Sequence, residues 1–371
     1  MIKAVHRWLG LALGVLWLTQ ALTGVAVVFR WELDDATLPG PASPADPVAL
    51  GARIDAIESR HARVSSMWAS GNDADRFDIF YSDAAGSART MRVDGAGRIL
   101  RDVAADALVS GGGIFNTLST IHENLFAGDT GAWIIGLSGL VLLGNLAFGL
   151  RLAWPRKGMW KRSMLAAPRG PTAGRLQGWH RLLGLWLALP AAAVVAAGVL
   201  LAFEDGVEEV LHAVIAPPAA HVRLGSAAAG AQKRFGPGTA LALALREYPG
   251  ATLSALAFPS GGEPWYRIRL RARGEMTRIW GATTLFVSQA NGEIVGGRGS
   301  IRPLARRFVD ALYPVHTGQI GGIAGRCLVG VIGILLVAMI ALGTGLWLAR
   351  RGPERASARA DSAPQASKGT P

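Results

Sequence analysis

The sequence predicts an α-helical membrane protein with four transmembrane helices that arose by internal duplication, with α/β insertions between them. Three observations predict this fold: four long apolar runs, motifs that occur twice, and basic residues gathered in a few short segments. Each run can cross a hydrocarbon core of ~30 Å at ~1.5 Å per helical residue, and acids and lysines are almost absent from the runs, as lipid exposure demands. The runs are Trp8–Phe29, Trp133–Trp154, Leu182–Phe203 and Cys327–Ala349.

The duplication is visible in two pairs of matching segments. His6 opens the segment HRWLGLAL, which returns at His180 as HRLLGLWL. His122 and the four glycines that follow it return at His316 and beyond with the same spacing. This ungapped match covers more than four turns of helix. It indicates a repeated pair of helices with a histidine near each membrane face.

The net charge of +12 reports on topology. The excess of basic residues lies at the N-terminus, in residues 151–175 and in the tail from residue 350, and the rest of the chain is neutral. Short segments rich in Lys and Arg mark the cytoplasmic side of a membrane. We therefore expect a multi-pass protein with both termini and the short 156–175 loop in the cytoplasm. Nucleic acid is excluded as a partner, and membrane lipid is expected as one.

These signals divide the chain into eight segments. The segments are transmembrane helix 1 (1–30), a first α/β segment (31–117), a lead-in with transmembrane helix 2 (118–154), a basic cytoplasmic loop (155–179), transmembrane helix 3 (180–203), a second α/β segment (204–308), a lead-in with transmembrane helix 4 (309–349) and a disordered cytoplasmic tail (350–371).

Both α/β segments predict the same order of elements, a helix followed by short strands. The helices are expected over 50–62 and 240–248. The strands are expected over 77–81, 88–93 and 99–100 in the first segment, and over 253–258, 265–271, 284–287 and 294–295 in the second. Four arginines at alternate positions from Arg267 to Arg273 share one face of a strand. That face is either a solvated surface or a cationic site for an anionic ligand.

Four histidines in two matched pairs predict the axial ligands of haem b. Haem iron takes ligands from opposite faces of a planar ring, and neutral imidazole is a common choice. In a fold of two equivalent halves, His6 would face His180 at one membrane surface and His122 would face His316 at the other. The sequence therefore predicts two haems, each held through its iron by one pair.

The haem prediction for His122 and His316 depends on a break in the helix that follows His122. His122 lies eleven residues before Trp133, which is about 16 Å along an unbroken helix. A break at Gly128 or Gly131 is needed to fold His122 back toward the bilayer. Without that break, His122 and His316 would line a substrate or quinol site instead of binding haem.

Residues beside the histidines predict the rest of the cofactor site. Gly10 and Gly14 lie on the face of His6, and Gly184 follows His180 in the same way. A strip without bulk leaves room for a porphyrin or allows close helix packing, and the sequence leaves both readings open. Arg326 lies on the outward side, against the usual charge bias, and is predicted to hold a haem propionate.

The chain resembles the PepSY-associated transmembrane-helix family, which includes iron-regulated inner-membrane reductases acting in siderophore uptake. The resemblance runs from His6 to about Arg351. The residues that carry it are HRWLG from His6 and its copy at His180, GVAVVF from Gly24, and IHENLFAG from Ile121. It implies PepSY-type domains in the periplasm and haem b between the helices of a bacterial inner-membrane protein.

Together these features predict a b-type cytochrome that reduces a periplasmic ferric siderophore. No nucleotide-binding GxGxxG motif follows a strand, so the electrons must come from membrane quinol or a separate donor. Two alternatives stay open. One is a cofactor-free membrane protein that binds or restrains a periplasmic partner such as a peptidase. The other is a transport accessory for iron chelates.

Overall fold

The computed structural model describes residues 1–41, 43–71, 75–214, 235–259, 264–276, 280–296 and 304–361. Among these residues, three helices are long and apolar enough to cross a membrane: α6 (Gly128–Ala153), α8 (Thr172–Ala202) and the part of α12 (Gly322–Asp361) that ends at Arg351. A fourth crossing is possible through two consecutive helices, α1 (Ile2–Ala12) and α2 (Gly14–Val28), which meet at an angle of 62°. Each predicted apolar run coincides with one of these four regions.

The first apolar run is a bent pair, whereas the sequence predicted one continuous helix. Leu13 departs from helical geometry with φ −101° and ψ 1°, and glycines stand on either side of it at Gly10 and Gly14. Gly14 meets no described atom within 4 Å of an added Cβ, and Gly10 meets only the Asn145 side chain at 3.9 Å. The bend lets α1 lean against α6, which carries His6 to that helix.

Two shorter helices, α5 (Gly113–Asn124) and α11 (Leu304–His316), precede α6 and α12. His122 lies in the last turn of α5, and His316 is the last residue of α11. Between α5 and α6 the chain turns sharply, because Leu125, Phe126 and Gly128 all have positive φ. Gly318 and Gly322 also have positive φ and form the corresponding turn before α12. The break required for His122 is therefore present, and α5 packs back against α2.

The remaining described helices are short. They are α3 (Arg30–Asp35), α4 (Pro47–Glu58), α7 (Trp160–Leu165), α9 (Glu204–Val214) and α10 (Pro237–Glu247). Asp46 caps α4 by accepting from the Val48 and Ala49 amides, with Pro47 in the first turn, a typical start for a helix. The tail predicted as disordered from residue 350 is helical through Asp361, because α12 continues past its apolar part. Residues 362–371 lie outside the described chain.

Eight strands form one antiparallel sheet with the order β4-β3-β2-β1-β5-β6-β7-β8. The strands are β1 (Arg63–Ala69), β2 (Arg76–Ser82), β3 (Ala88–Asp94), β4 (Ile99–Ala104), β5 (Thr252–Ala257), β6 (Trp265–Arg271), β7 (Thr283–Ser288) and β8 (Ile294–Gly296). Seven of these were predicted from the sequence. The unpredicted strand, β1, joins the two segments, because Met67 pairs with Leu256 of β5. The two α/β segments therefore share a single sheet.

The two faces of the sheet differ. One face forms an apolar core with α4 and α10, which touch where Gly51 lies against Gly238 with no room for a side chain. The other face carries charged and aromatic side chains. On that face Arg269 lies over the Trp68 ring at 5.8 Å, while Arg267 is exposed. The predicted row of arginines is thus a mixed surface, and its last member, Arg273, lies beyond the strand.

A network of buried ion pairs attaches the charged face of the sheet to α3. Arg92 is paired with Asp34 at 2.9 Å and with Asp78 at 2.7 Å. Arg101 reaches Asp34 at 2.7 Å, and Asp35 joins the same cluster through Arg92. Because α3 follows α2 directly, this network holds the sheet over the ends of the long helices.

Candidate functional site

The structure brings the rings of His122 and His316 close together, as the duplicated motifs predicted. The centroids of the two rings are 6.1 Å apart, and the ring planes are inclined by 31°. Each histidine lies in the last turn of its short helix. We call these residues the sheet-side pair, since they lie at the end of the helix bundle that faces the sheet.

His6 and His180 form the second predicted pair. Their ring centroids are also 6.1 Å apart, with an interplanar angle of 64°. His6 lies in α1, and His180 lies in α8, fourteen residues before Val194, whose carbonyl contacts the sheet-side pair. Fourteen helical residues span about 21 Å. We call His6 and His180 the distal pair.

Three of the four rings are oriented by a hydrogen bond from Nδ1 to a main-chain carbonyl. His122 Nδ1 donates to Gln20 O at 3.1 Å, His316 Nδ1 to Val194 O at 2.9 Å and His6 Nδ1 to Asn145 O at 3.1 Å. A carbonyl can only accept, so these contacts place the proton on Nδ1 and leave Nε2 with its lone pair. Metal-binding histidines typically have this arrangement.

The fourth ring, His180, is held less firmly than the other three. Its Nδ1 is buried near the main chain of Met339, but no hydrogen bond of normal geometry reaches it from the described residues. Met339 occupies the position in α12 that Asn145 occupies in α6. The His180 ring is therefore placed like the His6 ring, but its contact with the main-chain carbonyl is looser.

Each histidine ring also lies against a glycine of a long helix. An added Cβ would lie 3.0 Å from His122 Cε1 on Gly24, 2.7 Å from His316 Cε1 on Gly198, 3.0 Å from His6 Cε1 on Gly149 and 3.3 Å from His180 Cε1 on Gly343. In all four helices this glycine follows the residue with the carbonyl by four positions, one turn on the same face. Of these glycines only Gly24 was named from the sequence, as part of the family resemblance, although their repetition in both halves was a signal for all four.

The sheet-side pair opens into a cavity of ≈ 1040 Å³. Its lower part is lined by small residues of the long helices, including Gly24, Gly136 and Gly198. Gly136 also brings α6 close to α8, because its Cβ would lie 2.6 Å from the Phe203 ring. The small residues were expected either to leave room for a ligand or to allow close helix packing. In this cavity they do both.

The donor set suits a planar iron complex. An imidazole nitrogen binds a first-row metal at about 2 Å, so two imidazoles on one ion have centroids about 6 Å apart, as both pairs have. The described residues contain no group of three or more His, Cys, Asp or Glu side chains able to hold a bare ion. Burial lowers the pKa of His122 to about 4 and also lowers that of His316, which keeps both imidazoles neutral, the form that binds metal.

Arg326 lies away from this cavity. Its buried guanidinium donates to the Glu32 carboxylate and to the Val28 carbonyl, which ties α12 to the junction of α2 and α3. Its predicted contact with a propionate stays a prediction. Arg30 lines the cavity instead, with its guanidinium bonded to Ser119 Oγ and 4.5 Å from the Trp31 ring.

The chain matches a known protein family. A family model described as PepSY-associated TM region matches residues 4–350. None of the curated proteins compared with the chain matches it. The matched range includes all four histidines, all four glycines that face them and the whole sheet.

Proposed function

The chain belongs to the PepSY-associated TM family, and from this premise we propose that it is a bacterial inner-membrane b-type cytochrome. It passes electrons across the membrane and reduces a periplasmic ferric chelate, a ferric siderophore, during iron uptake. The observation that carries the proposal is the equal spacing of the two histidine pairs, 6.1 Å in each.

The four histidines would hold two haems b, one at each pair. Haem supplies a single-electron carrier whose potential depends on its axial ligands and surroundings. The protein fixes each ring through Nδ1 and a glycine contact, so Nε2 points away from the main chain that holds it. The carbonyl partners of His6, His122 and His316 raise the basicity of these ligands.

The cofactor-free alternative explains these contacts poorly. Among the described residues, no hydrogen bond to any of the four Nε2 atoms is formed. The cofactor-free alternative gives no reason for two pairs of imidazoles at the same spacing in the two halves of the protein. A permease for iron chelates would need ionisable side chains inside the spans, and the four apolar runs almost lack them.

The proposed orientation follows from the distribution of basic residues. The loop at 156–175 is rich in Lys and Arg and belongs on the cytoplasmic side. The sheet then lies in the periplasm, with the sheet-side pair next to it and the distal pair near the cytoplasmic surface. The α8 positions of His180 and Val194, about 21 Å apart along the helix, separate the two sites by most of the ~30 Å hydrocarbon core. The electrons would come from quinol or a separate donor.

The decisive experiment counts haem in the purified protein. We expect a reduced-minus-oxidised spectrum typical of haem b and two haems per chain. His6→Ala and His122→Ala should each remove about one haem, whereas His61→Ala, a control outside both pairs, should remove none. Unchanged haem content in both variants, or no Soret band in the parent protein, would refute the cofactor assignment.

The reductase step needs its own measurement. The dithionite-reduced protein, freed of excess reductant, is mixed with a ferric siderophore and a chelator specific for Fe²⁺. We expect haem oxidation and Fe²⁺ formation in equal amounts, one electron for each iron. Haem that stays reduced while no Fe²⁺ appears would contradict the proposed substrate.

A further inference from the structure

The cavity next to the sheet-side pair extends from the long helices to the sheet. Its lower part is lined by glycines and aliphatic side chains of the long helices, and its upper part reaches the charged face of the sheet. We call the upper part the aromatic chamber, lined by Trp31, Trp68, Phe80, Trp280 and Tyr313. The volume of ≈ 1040 Å³ is at the upper end of the range for pockets that hold small molecules.

Trp280 is the centre of the chamber wall. Its ring stacks on Tyr313 at 5.7 Å and meets Trp68 and Trp31 edge to face at 5.6 and 6.2 Å. Its indole Nε1 donates to the Ala69 carbonyl at 3.2 Å. These contacts are within the range of favourable aromatic geometry and fix the wall before any ligand arrives.

The wall also connects the sheet with the sheet-side pair. Trp68 and the Ala69 carbonyl belong to β1, while Tyr313 lies in α11 three residues before His316. Three residues are about one helical turn, so a ligand against Trp280 and Tyr313 lies within about one turn of helix from the ligand pair. Electron transfer to or from that ligand would need no further carrier.

Phe80 supplies a further apolar side chain in the chamber. It lies on β2 opposite Thr90 of β3, and 36% of its surface is exposed although it lines the cavity. The strand register places this phenyl ring on the same face of the sheet as Trp68, so the two side chains form one apolar surface. A flat ring is the ligand shape that makes a large contact area with such a surface.

Two arginines of the cavity lining lie close to the aromatic rings. Arg269 stands 5.8 Å from the Trp68 ring, and Arg30 stands 4.5 Å from the Trp31 ring. Arg92 and Arg101 are paired with Asp34 and Asp78, and Glu123, which also lines the cavity, lies near Arg30. Guanidinium groups beside ring faces suit oxygen substituents on a bound ring.

We propose that the aromatic chamber binds a ligand through an oxygen-bearing aromatic ring. This inference rests on the proposed function and deepens it. Two sources of such a ring fit that function: the aryl group of a ferric chelate, and the head of a quinol. A chelate would take one electron as Fe³⁺ becomes Fe²⁺. A quinol would give two electrons in two steps and release two protons as it becomes a quinone.

Binding is tested without electron transfer. The haem-loaded protein in detergent is titrated by calorimetry with the redox-inert gallium(III) complex of 2,3-dihydroxybenzoate. The gallium(III) complex of acetohydroxamate, which has no ring, is the matched ligand, and a short-chain ubiquinone forms the third arm. We expect binding of a ring-bearing ligand at least tenfold tighter than that of the acetohydroxamate complex.

Variants locate the binding. Phe80→Ala removes an exposed ring without touching the ion-pair network, and Trp280→Leu removes the centre of the wall. Each should weaken binding by at least tenfold, because stacking on an aromatic side chain contributes strongly to affinity. Trp8→Leu, an exposed tryptophan in α1, should change nothing.

The arms separate the possible outcomes. Binding of the gallium dihydroxybenzoate complex identifies a chelate site, and binding of ubiquinone alone identifies a quinol site; both uphold the inference. Equal binding of the ringless complex, or ring binding unchanged in Phe80→Ala and Trp280→Leu, overturns it. Either failure leaves haem content and ferric reduction unaffected, so it is distinguishable from failure of the proposed function.

Discussion

Gly198 and His316 are in contact across two helices, with the His316 Cε1 only 2.7 Å from where a Cβ on Gly198 would lie. His316 Nδ1 meanwhile bonds to Val194 O, one turn earlier on the same helix. The same combination of carbonyl and glycine faces His122, at Gln20 and Gly24. The orientation of each imidazole is therefore set by the main chain of a long helix, and a side chain at the glycine would displace it.

Gly198→Val should cost the protein the haem of the sheet-side pair. The added side chain would push the His316 ring off its hydrogen bond and away from His122, since a contact below 3.0 Å forces movement. We expect haem content to fall from two to about one per chain, measured by absorbance of the reduced protein.

The control for this change is Gly144→Val, because an added Cβ at Gly144 meets no described atom within 4 Å. It should leave two haems per chain. If Gly198→Val also retained two haems with an unaltered spectrum, the ring would not be held as described.

Arg326→Gln should lower the melting temperature and leave both haems in place. The guanidinium of Arg326 is buried and bonded to Glu32 and Val28 O, so its removal takes the side-chain donor away from the Val28 carbonyl, at a cost of about 1–3 kcal/mol. Glu32→Gln should act in the same direction but less strongly, since its side chain is 48% exposed. Loss of one haem in Arg326→Gln alone would instead support the predicted contact with a propionate.

Much of the site could be predicted because it is repeated. The apolar runs gave the positions of the long helices, and the two copies of each motif paired His6 with His180 and His122 with His316 before any coordinates. The length of an apolar run and the spacing of a repeated motif can be read from the sequence, so these predictions needed no knowledge of the packing.

The glycines that face the histidines and the bend at Leu13 depend on packing. A glycine such as Gly24 in an apolar run can make room for a histidine ring or allow contact with another helix. Only the residue that faces it in the structure distinguishes these two roles. The bend occurs without a proline. Strand β1 was missed because Ser65 and Ser66 interrupt the apolar alternation, and its partner in β5 is far away in sequence.

Asp34→Asn should strongly destabilise the attachment of the sheet. Asp34 is 4% exposed and pairs with Arg92 and Arg101, and removing one partner of a buried ion pair costs about 3–5 kcal/mol. We expect a clearly lower melting temperature by near-ultraviolet circular dichroism. Asp102→Asn, which breaks a half-exposed pair with Arg89, is the control and should change the melting temperature little.

The final prediction concerns acid stability and Asp94. Burial of this carboxyl would raise its pKa, but hydrogen bonds from the Arg98 amide and side chain outweigh that effect, so the pKa is lowered. A carboxyl whose pKa is lower in the folded state stabilises the fold above its unfolded pKa of about 3.9, and this stability is lost as pH falls through the folded pKa. Asp94→Asn should therefore melt at a lower temperature than the parent at pH 7.

The difference between Asp94→Asn and the parent should shrink as pH falls below about 4, since the parent then loses the same charge. Thermal melts followed by circular dichroism between pH 7 and pH 2 measure it. Asp106→Asn, at an exposed position, is the matched control and should follow the parent throughout. A constant difference between Asp94→Asn and the parent across this range would show that the contribution of Asp94 is packing, because only an ionised carboxylate gives a stability that protonation removes.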